Sequence, residues 1–259
     1  MENELAGKIQ TVLGPIEPGN LGITLTHEHL LVDLTVAHGP PKSASDIGFY
    51  REPVSQETLG RIRYYGAQNE DNAQLFDVST AIDEVNSYKE HGGTTLVDAT
   101  SVGIARDPLG LFRISNATGV NVIMGASYYV ADAHPSDMDR LSEDDIVDHI
   151  VRDITEGADG TGIKSGVIGE IGCSWPLAVN ERKVLRASAR AQRLTGAPIL
   201  IHPGREETSP LQIIEVLAEA GADLSRTIMG HLDRTVFLRS TLTKIAEAGC
   251  YMEWDLFGT

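Results

Sequence analysis

The sequence predicts an α/β fold built on a parallel sheet. Three observations predict it: short apolar runs recur along the chain, segments with 3.6-residue apolar spacing lie between them, and Gly or Asn closes those segments as helix C-termini prefer. Strand, helix, strand in repetition requires crossover connections, and hence parallel pairing. Seven such strands are countable in the 259 residues. Two architectures fit that number: an open doubly wound sheet, or a (β/α)₈ barrel whose last unit is absent from this chain. Strand count alone does not choose between them.

The elements run as follows. The opening "KIQTVLGPIEPGNLG", with Pro and Gly between apolar stretches, predicts a hairpin over residues 8–22 laid across one end of the sheet. The strands are "GITLTHEH" (22–29), "TTLVDATS" (94–101), "VNVIMGAS" (120–127), "SGVIGEIG" (165–172), "APILIHPG" (197–204), "TIMGHLD" (227–233) and "CYMEWDLFG" (250–258). Helical spacing is plainest in "ERKVLRASARAQRLTG" and "PLQIIEVLAEAG". The connection over 30–93 is too long for a simple crossover, and reads as one elaborated loop with a Pro-rich stretch, "HGPPKSASD", and helix-like material over 56–90.

Composition narrows the function classes. A net charge of −16 repels nucleic acid and anionic membrane, so neither is expected as a partner. No run approaches the roughly 18 apolar residues that span a bilayer. With Cys173 and Cys250 as the only cysteines and no basic-then-apolar start, the expected setting is reducing and cytoplasmic.

Chemistry enters at "THEH". Side chains alternate faces along a strand, so His27 and His29 point the same way and Glu28 the other. One metal ion needs that parity from two imidazoles on a rigid element. Taken alone, the pair equally fits two histidines capping a strand end. His202 closes "APILIH" and His231 lies near the end of "TIMGH", each at the C-terminal tip where parallel α/β folds carry their functional face. Four of the eight histidines thus fall at equivalent heights on three strands, which favours metal ligands over isolated core residues.

Glu170, in "GVIGEIG", is a carboxylate among apolar neighbours, costly to bury without a partner. Its two oxygens suit a bridge between two cations, and Gly169 and Gly172 leave room beside it. Lys164 is the competitor as a carbamate, but six residues earlier puts it about 20 Å down an extended strand. Arg205, on the loop after "APILIH", is a candidate for an anionic substrate group or for pairing with Glu206. Tyr128 and Tyr129 are candidates for the pocket wall or for packing at the rim.

In this order and at successive strand tips, "THEH", "GEIG", "IHPGR" and "GHLDR" resemble the phosphotriesterase-related branch of the amidohydrolase superfamily, and "GEIGCSWPL" and "WDLFGT" extend the likeness over essentially the whole chain. The resemblance implies a distorted (β/α)₈ barrel of the metal-dependent hydrolase kind. Residues 1–259 then form one incomplete barrel domain, with the hairpin at 8–22 and the insertion at 30–93. It also implies two divalent metal cations, usually zinc, with His27 and His29 on one, His202 and His231 on the other, and Glu170 between them. The aspartate that takes a proton at the eighth strand of such enzymes lies, on this reading, beyond Thr259. Asp255 is read as a loop or barrel-end residue and no replacement for it.

The expected function is a hydrolase in which a hydroxide held between the two metals attacks a small-molecule amide, ester or lactone, or a phosphoester. Where the triester hydrolases of the family carry an Asp–His relay, Arg234 and Leu256 stand here, which turns the expectation toward carboxylic substrates. The resemblance points to N-acyl amino acids and N-acetyltaurine, and to a homodimer. The rival expectation is a non-catalytic metal-binding fragment, with a nuclease disfavoured by charge.

Overall fold

The structure, a computed structural model, describes residues 7–37, 41 and 43–257, so part of the Pro-rich stretch at 38–46 lies outside the described residues. It opens with an antiparallel hairpin, β1 (Ile9–Thr11) and β2 (Gly14–Ile16). There follow β3 (Ile23–Glu28), β4 (Val32–Asp33), α1 (Ala44–Tyr50), α2 (Leu59–Tyr65), β5 (Gln74–Leu75) and α3 (Val78–Glu90). The remainder alternates regularly: β6 (Gly93–Asp98), α4 (Pro108–Thr118), β7 (Asn121–Ala126), α5 (Glu143–Thr155), β8 (Val167–Gly172), α6 (Val179–Thr195), β9 (Ile199–His202), α7 (Ser209–Glu219) and β10 (Thr227–Met229). The chain closes with α8 (Leu232–Thr235), α9 (Arg239–Glu247) and β11 (Tyr251–Met252).

Seven strands form one parallel sheet in the order β3, β6, β7, β8, β9, β10, β11. Strand order follows chain order with no reversal, whereas a doubly wound sheet reverses at a switch point. The sheet also curls: Thr26 of β3 hydrogen-bonds Glu253, just past β11, so the first and last strands approach each other. This is the curved sheet of a (β/α) barrel. The helices of the regular part were legible in sequence and have local causes. Asp107 and Ser142 accept from the N–H groups of Gly110 and Asp145 at the starts of α4 and α5, and Gly119 and Gly196 end α4 and α6 with positive φ.

Alternation sorts the strand residues. Val122, Met124, Ile168, Ile199 and Ile201 face the helices, where Ile146, Ile150, Leu185 and Leu217 pack, while Ile123, Val167 and Leu200 face the concave side. The hairpin closes one end of that side, with Val12 N–H donating to Val122 O at the start of β7.

Several predicted boundaries overshoot. β10 stops at Met229, because His231 takes a left-handed conformation (φ 54°) and "LDRT" turns helical. β11 is only Tyr251–Met252, and 253–256 has no regular structure. The insertion holds the small antiparallel pair β4–β5 as well as helices. The glycines beside Glu170 do not make space for a bulky group. A Cβ at Gly169 would fall 2.2 Å from Leu200 O, and one at Gly172 2.1 Å from Val130 N, so both admit neighbouring backbone.

Candidate metal centre

The C-terminal strand ends bring five side chains to one place. His27 lies in β3 and His29 just beyond it, both directed inward as their spacing predicts. Glu170 needs an irregularity to join them. Strict alternation from Val167, which faces the concave side, would turn Glu170 toward the helices with Ile168. The pairing with β9 slips between Ile168 and Ile171, which reverses the parity and aims the carboxylate inward.

Glu170, fully buried, is the hub. Its Oε2 lies 2.9 Å from His27 Nε2, 2.8 Å from His202 Nδ1 and 3.5 Å from His231 Nε2, and its Oε1 lies 3.2 Å from His29 Nε2. His202 Nδ1 and His231 Nε2 are 3.1 Å apart. The inner nitrogens are thus Nε2 of His27, His29 and His231, and Nδ1 of His202.

The other nitrogen of each ring is turned to a different neighbour. His29 Nδ1 is 2.9 Å from Thr100 Oγ1. Asp255 spans two rings, with Oδ1 2.8 Å from His231 Nδ1 and Oδ2 3.0 Å from His27 Nδ1, and it accepts the His231 N–H at 3.2 Å. Glu253 Oε2 is 3.4 Å from His27 Nδ1. The segment carrying both acids is pinned to β10 and α8, because Glu253 N donates to Met229 O, Leu232 N to Glu253 O and Leu256 N to Asp233 Oδ2. Asp255 was read from sequence as a loop or barrel-end residue; it does lie past β11 without regular structure, but its contacts with His27 and His231 were not foreseen. The missed signal is "MEWDLF", where two acids at alternate positions follow a strand just as two histidines do in "THEH".

Charge in the cluster is coupled. Burial acts to raise the Glu170 pKa, yet the imidazoles of His202 and His27 hold it well below the usual carboxylate range. Burial acts to lower His27, but Glu170, Asp255 and Glu253 raise it well above the usual imidazole value. His231 is raised in the same way, by Asp255 and Glu170 against burial. At His202 burial prevails and brings the pKa down to about 4, so this ring is neutral at cellular pH. Asp255 is held low by His231 and His27 against its burial, and so stays ionised.

Several of these atoms sit close without hydrogen-bond alignment. Both His27 nitrogens, Glu170 Oε1 and Glu253 Oε2 are buried with no hydrogen-bond partner, although neighbours lie within about 3 Å. Buried polar atoms are normally satisfied, and unsatisfied ones point to an ion or water. Imidazole and carboxylate atoms grouped within 4.8 Å, as in His27, Glu170 and His231 or in His27, Glu253 and Asp255, are a donor set suited to zinc and similar cations. The residues present therefore fit a metal centre.

At the rim, the structure separates the two tyrosines. Tyr128 turns away from the cluster, its hydroxyl 2.5 Å from His149 Nδ1 on α5, so it does not line the mouth. Tyr129 faces the cluster, its hydroxyl 3.4 Å from His202, and burial together with the Glu170 charge pushes its pKa up, leaving it a neutral donor. Arg205 is exposed and is not paired with Glu206, whose carboxylate instead accepts from Thr208. Arg234, beyond His231, brings Nη2 within 2.8 Å of His202 Nε2.

A cavity of about 580 Å³ opens elsewhere, at the hairpin end of the concave side, lined by Ile9, Val97, Ile123, Leu200 and Ile228 among others. It is apolar and holds none of the five converging groups, so volume does not locate the chemistry.

Known proteins resemble this chain over nearly its whole length. The family model described as the phosphotriesterase family matches residues 7–259. The chain is 46% identical over 258 residues to the N-acetyltaurine hydrolase of Homo sapiens, covering 99% of this chain and 74% of that protein. A crystal structure of a resiniferatoxin-binding protein from Rhodobacter sphaeroides superposes with a TM-score of 0.93 at 40% identity, over 98% of this chain and 71% of that one. The phosphotriesterase homology protein from Escherichia coli, crystallised with phosphate in its active site, gives a TM-score of 0.74 at 26% identity, over 92% of this chain and 72% of that one.

Proposed function

We propose, from the premise that this chain belongs to the phosphotriesterase family, that it is a metal-dependent hydrolase of small carboxylic amides, esters or lactones, with N-acyl amino acids and N-acetyltaurine as its leading substrates. One observation carries the reading: four imidazoles converge on the buried carboxylate of Glu170, each with a nitrogen within 3.5 Å of it. His27 and His29 would hold one cation, His202 and His231 a second, and Glu170 would lie between them. Bound there, divalent cations supply Lewis acidity and bring water's pKa down toward neutrality.

The chain's own residues do the rest. Asp255 receives the Nδ1–H of His231 and sets its other oxygen 3.0 Å from His27 Nδ1, and Thr100 meets Nδ1 of His29, which orients the rings with Nε2 facing inward. His202, neutral at cellular pH, can turn Nδ1 to a cation by moving its one proton to Nε2, with no net loss of charge from the ring. Tyr129, neutral and at the rim, is placed to donate to a carbonyl oxygen on which charge develops. Asp255 is a poor proton acceptor, because both its oxygens are engaged and its pKa is depressed.

The test is elemental analysis of protein purified with zinc, followed by assays with N-acetyltaurine, N-acetylglycine, a γ-lactone and a phosphotriester. Two metals per chain and turnover of a carboxylic substrate are expected, with both lost in Glu170→Gln. A chain that binds no metal, or binds it and turns over none of the four, overturns the proposal.

A further inference from the structure

Arg234 is a charge with no ion-pair contact among the described residues. Among the described residues neither it nor Arg205 forms an ion pair, in a chain with 37 acidic against 21 basic residues. The Arg234 Nε is buried and has no hydrogen-bond partner. Burial disfavours its charge, and the nearby charge of Arg205 disfavours it further. Two guanidiniums therefore lie near enough for the charge of Arg205 to act on Arg234, and the charges of Glu170 and Asp255 act the other way only from beyond ion-pair distance.

The acceptor that Arg234 does have is conditional. Its Nη2 points at His202 Nε2, 2.8 Å away, and a guanidinium has only donors. The other nitrogen of that ring, Nδ1, is the one turned inward to Glu170 and His231. Once Nδ1 gives its lone pair to a cation, the neutral ring carries its proton on Nε2 and can no longer accept. A metal-loaded site would thus remove the acceptor of Arg234 Nη2, beside an Nε that already has none. The Tyr129 hydroxyl, 3.4 Å from His202, offers one oxygen against five N–H groups.

We infer that Arg234, with Arg205 beside it, forms an anion-recognition subsite that selects substrates whose non-acyl end carries a carboxylate or sulfonate. This rests on the hydrolase reading and narrows it to acylated amino acids and aminosulfonates. The planar fork of a guanidinium matches both anions, which a lysine does not reproduce. Arg234 supplies the half-buried contact and Arg205 the exposed one.

The experiment compares zinc-loaded parent, Arg234→Met, Arg234→Lys and Arg205→Met on N-acetyltaurine, N-acetylglycine and the neutral N-acetylethanolamine. A charged hydrogen bond of this kind is worth about 10–100-fold, so Arg234→Met should raise KM for both anionic substrates by that factor and leave the neutral one unchanged. Arg234→Lys should recover part of the loss, and Arg205→Met should show a smaller effect of the same sign. Unequal losses for taurine and glycine derivatives identify the preferred anion. Equal losses on neutral and anionic substrates overturn the inference and leave Arg234 as a support for His202. If no variant or parent turns over any substrate, the hydrolase reading fails, and calorimetric titration with N-acetylglycine and taurine still decides the subsite. Binding by the parent that Arg234→Met abolishes upholds it, and equal or absent binding overturns it.

Discussion

Replacing Asp255 by Asn tests whether one carboxylate positions two of the four imidazoles. Its oxygens lie 2.8 Å from His231 Nδ1 and 3.0 Å from His27 Nδ1, and the Nε2 atoms of the same rings lie 3.5 and 2.9 Å from Glu170 Oε2. Asn keeps the shape but removes the charge, and turns one acceptor into a donor that opposes an Nδ1–H. Loss of such an outer partner costs about 10–100-fold in metal affinity for a single histidine. Because two rings share Asp255, the upper end applies: about 100-fold, which at about 1.4 kcal/mol per tenfold is about 2.8 kcal/mol. Competition with a fluorescent zinc chelator measures the affinity, and circular dichroism checks that the fold persists. The same change made on a His27→Ala background should cost less than it does on the parent, because one of the two positioned rings is already gone. Affinity in Asp255→Asn within about twofold of the parent would refute the reasoning.

Four further outcomes are expected. Arg106 and Asp153 form a buried pair at 2.7 Å with both side chains 2% exposed, so Arg106→Met should destabilise by about 3–5 kcal/mol in urea unfolding. Asp159, 46% exposed, holds the same guanidinium at 3.0 Å, and Asp159→Asn should cost less than about 1 kcal/mol; equal losses would contradict the burial argument. Gly169→Ala meets both a φ of 142° and a Cβ contact of 2.2 Å with Leu200 O, and should cost about 2–6 kcal/mol; an unchanged urea midpoint would show that β8 yields without strain. Burial lowers the His149 pKa against the opposing charge of Asp153, so the unfolded chain takes the proton first. The stability this ring contributes is present above about pH 6.5 and is lost as pH falls below it. An NMR titration showing His149 at or above pH 6.5 would be incompatible with that sign. Zinc at about 100 times its Kd should stabilise the fold by about 2.7 kcal/mol relative to chelator-treated protein, read as a higher melting temperature, and Glu170→Gln should abolish the shift.

The parts legible in sequence were those set by local periodicity and by position along a strand. The parallel α/β fold followed from alternating strand and helix patterns, and His27 and His29 followed from period-two parity. His202 and His231 were visible because each ends an apolar run, although His231 reaches the cluster through a left-handed turn rather than through an extended strand. Glu170 was found from the cost of burying a lone carboxylate, and it is buried against four imidazoles; its inward aim comes from the slip between Ile168 and Ile171, which no residue pattern announced. Tyr128 and Tyr129 could not be told apart, because choosing between them needs the path of the loop after β7. Asp255 was missed because its partners lie on β3 and in the turn after β10, and nothing within "MEWDLF" records their approach.

That approach is also what shapes the fold. Among the described residues β3 and β11 are the two edges of the sheet, and no backbone ladder joins them. The contacts that span the gap at this end are side chains of the site: Thr26 to Glu253, and His27 to Glu253 and Asp255. An edge left unpaired exposes N–H and C=O groups and invites misassociation. Here the groups that would orient a metal are the same groups that hold the edges together. Three carboxylates and four imidazoles gathered behind the strand ends have little reason to stay together unless positive charge is shared among them. Where His27 and His231 supply it as protons, the cluster competes with metal for the same nitrogens, and rising pH moves it toward metal. Curvature of the sheet and geometry of the site are therefore one coupled property of this chain, carried by Glu170 within and by Asp255 across the seam.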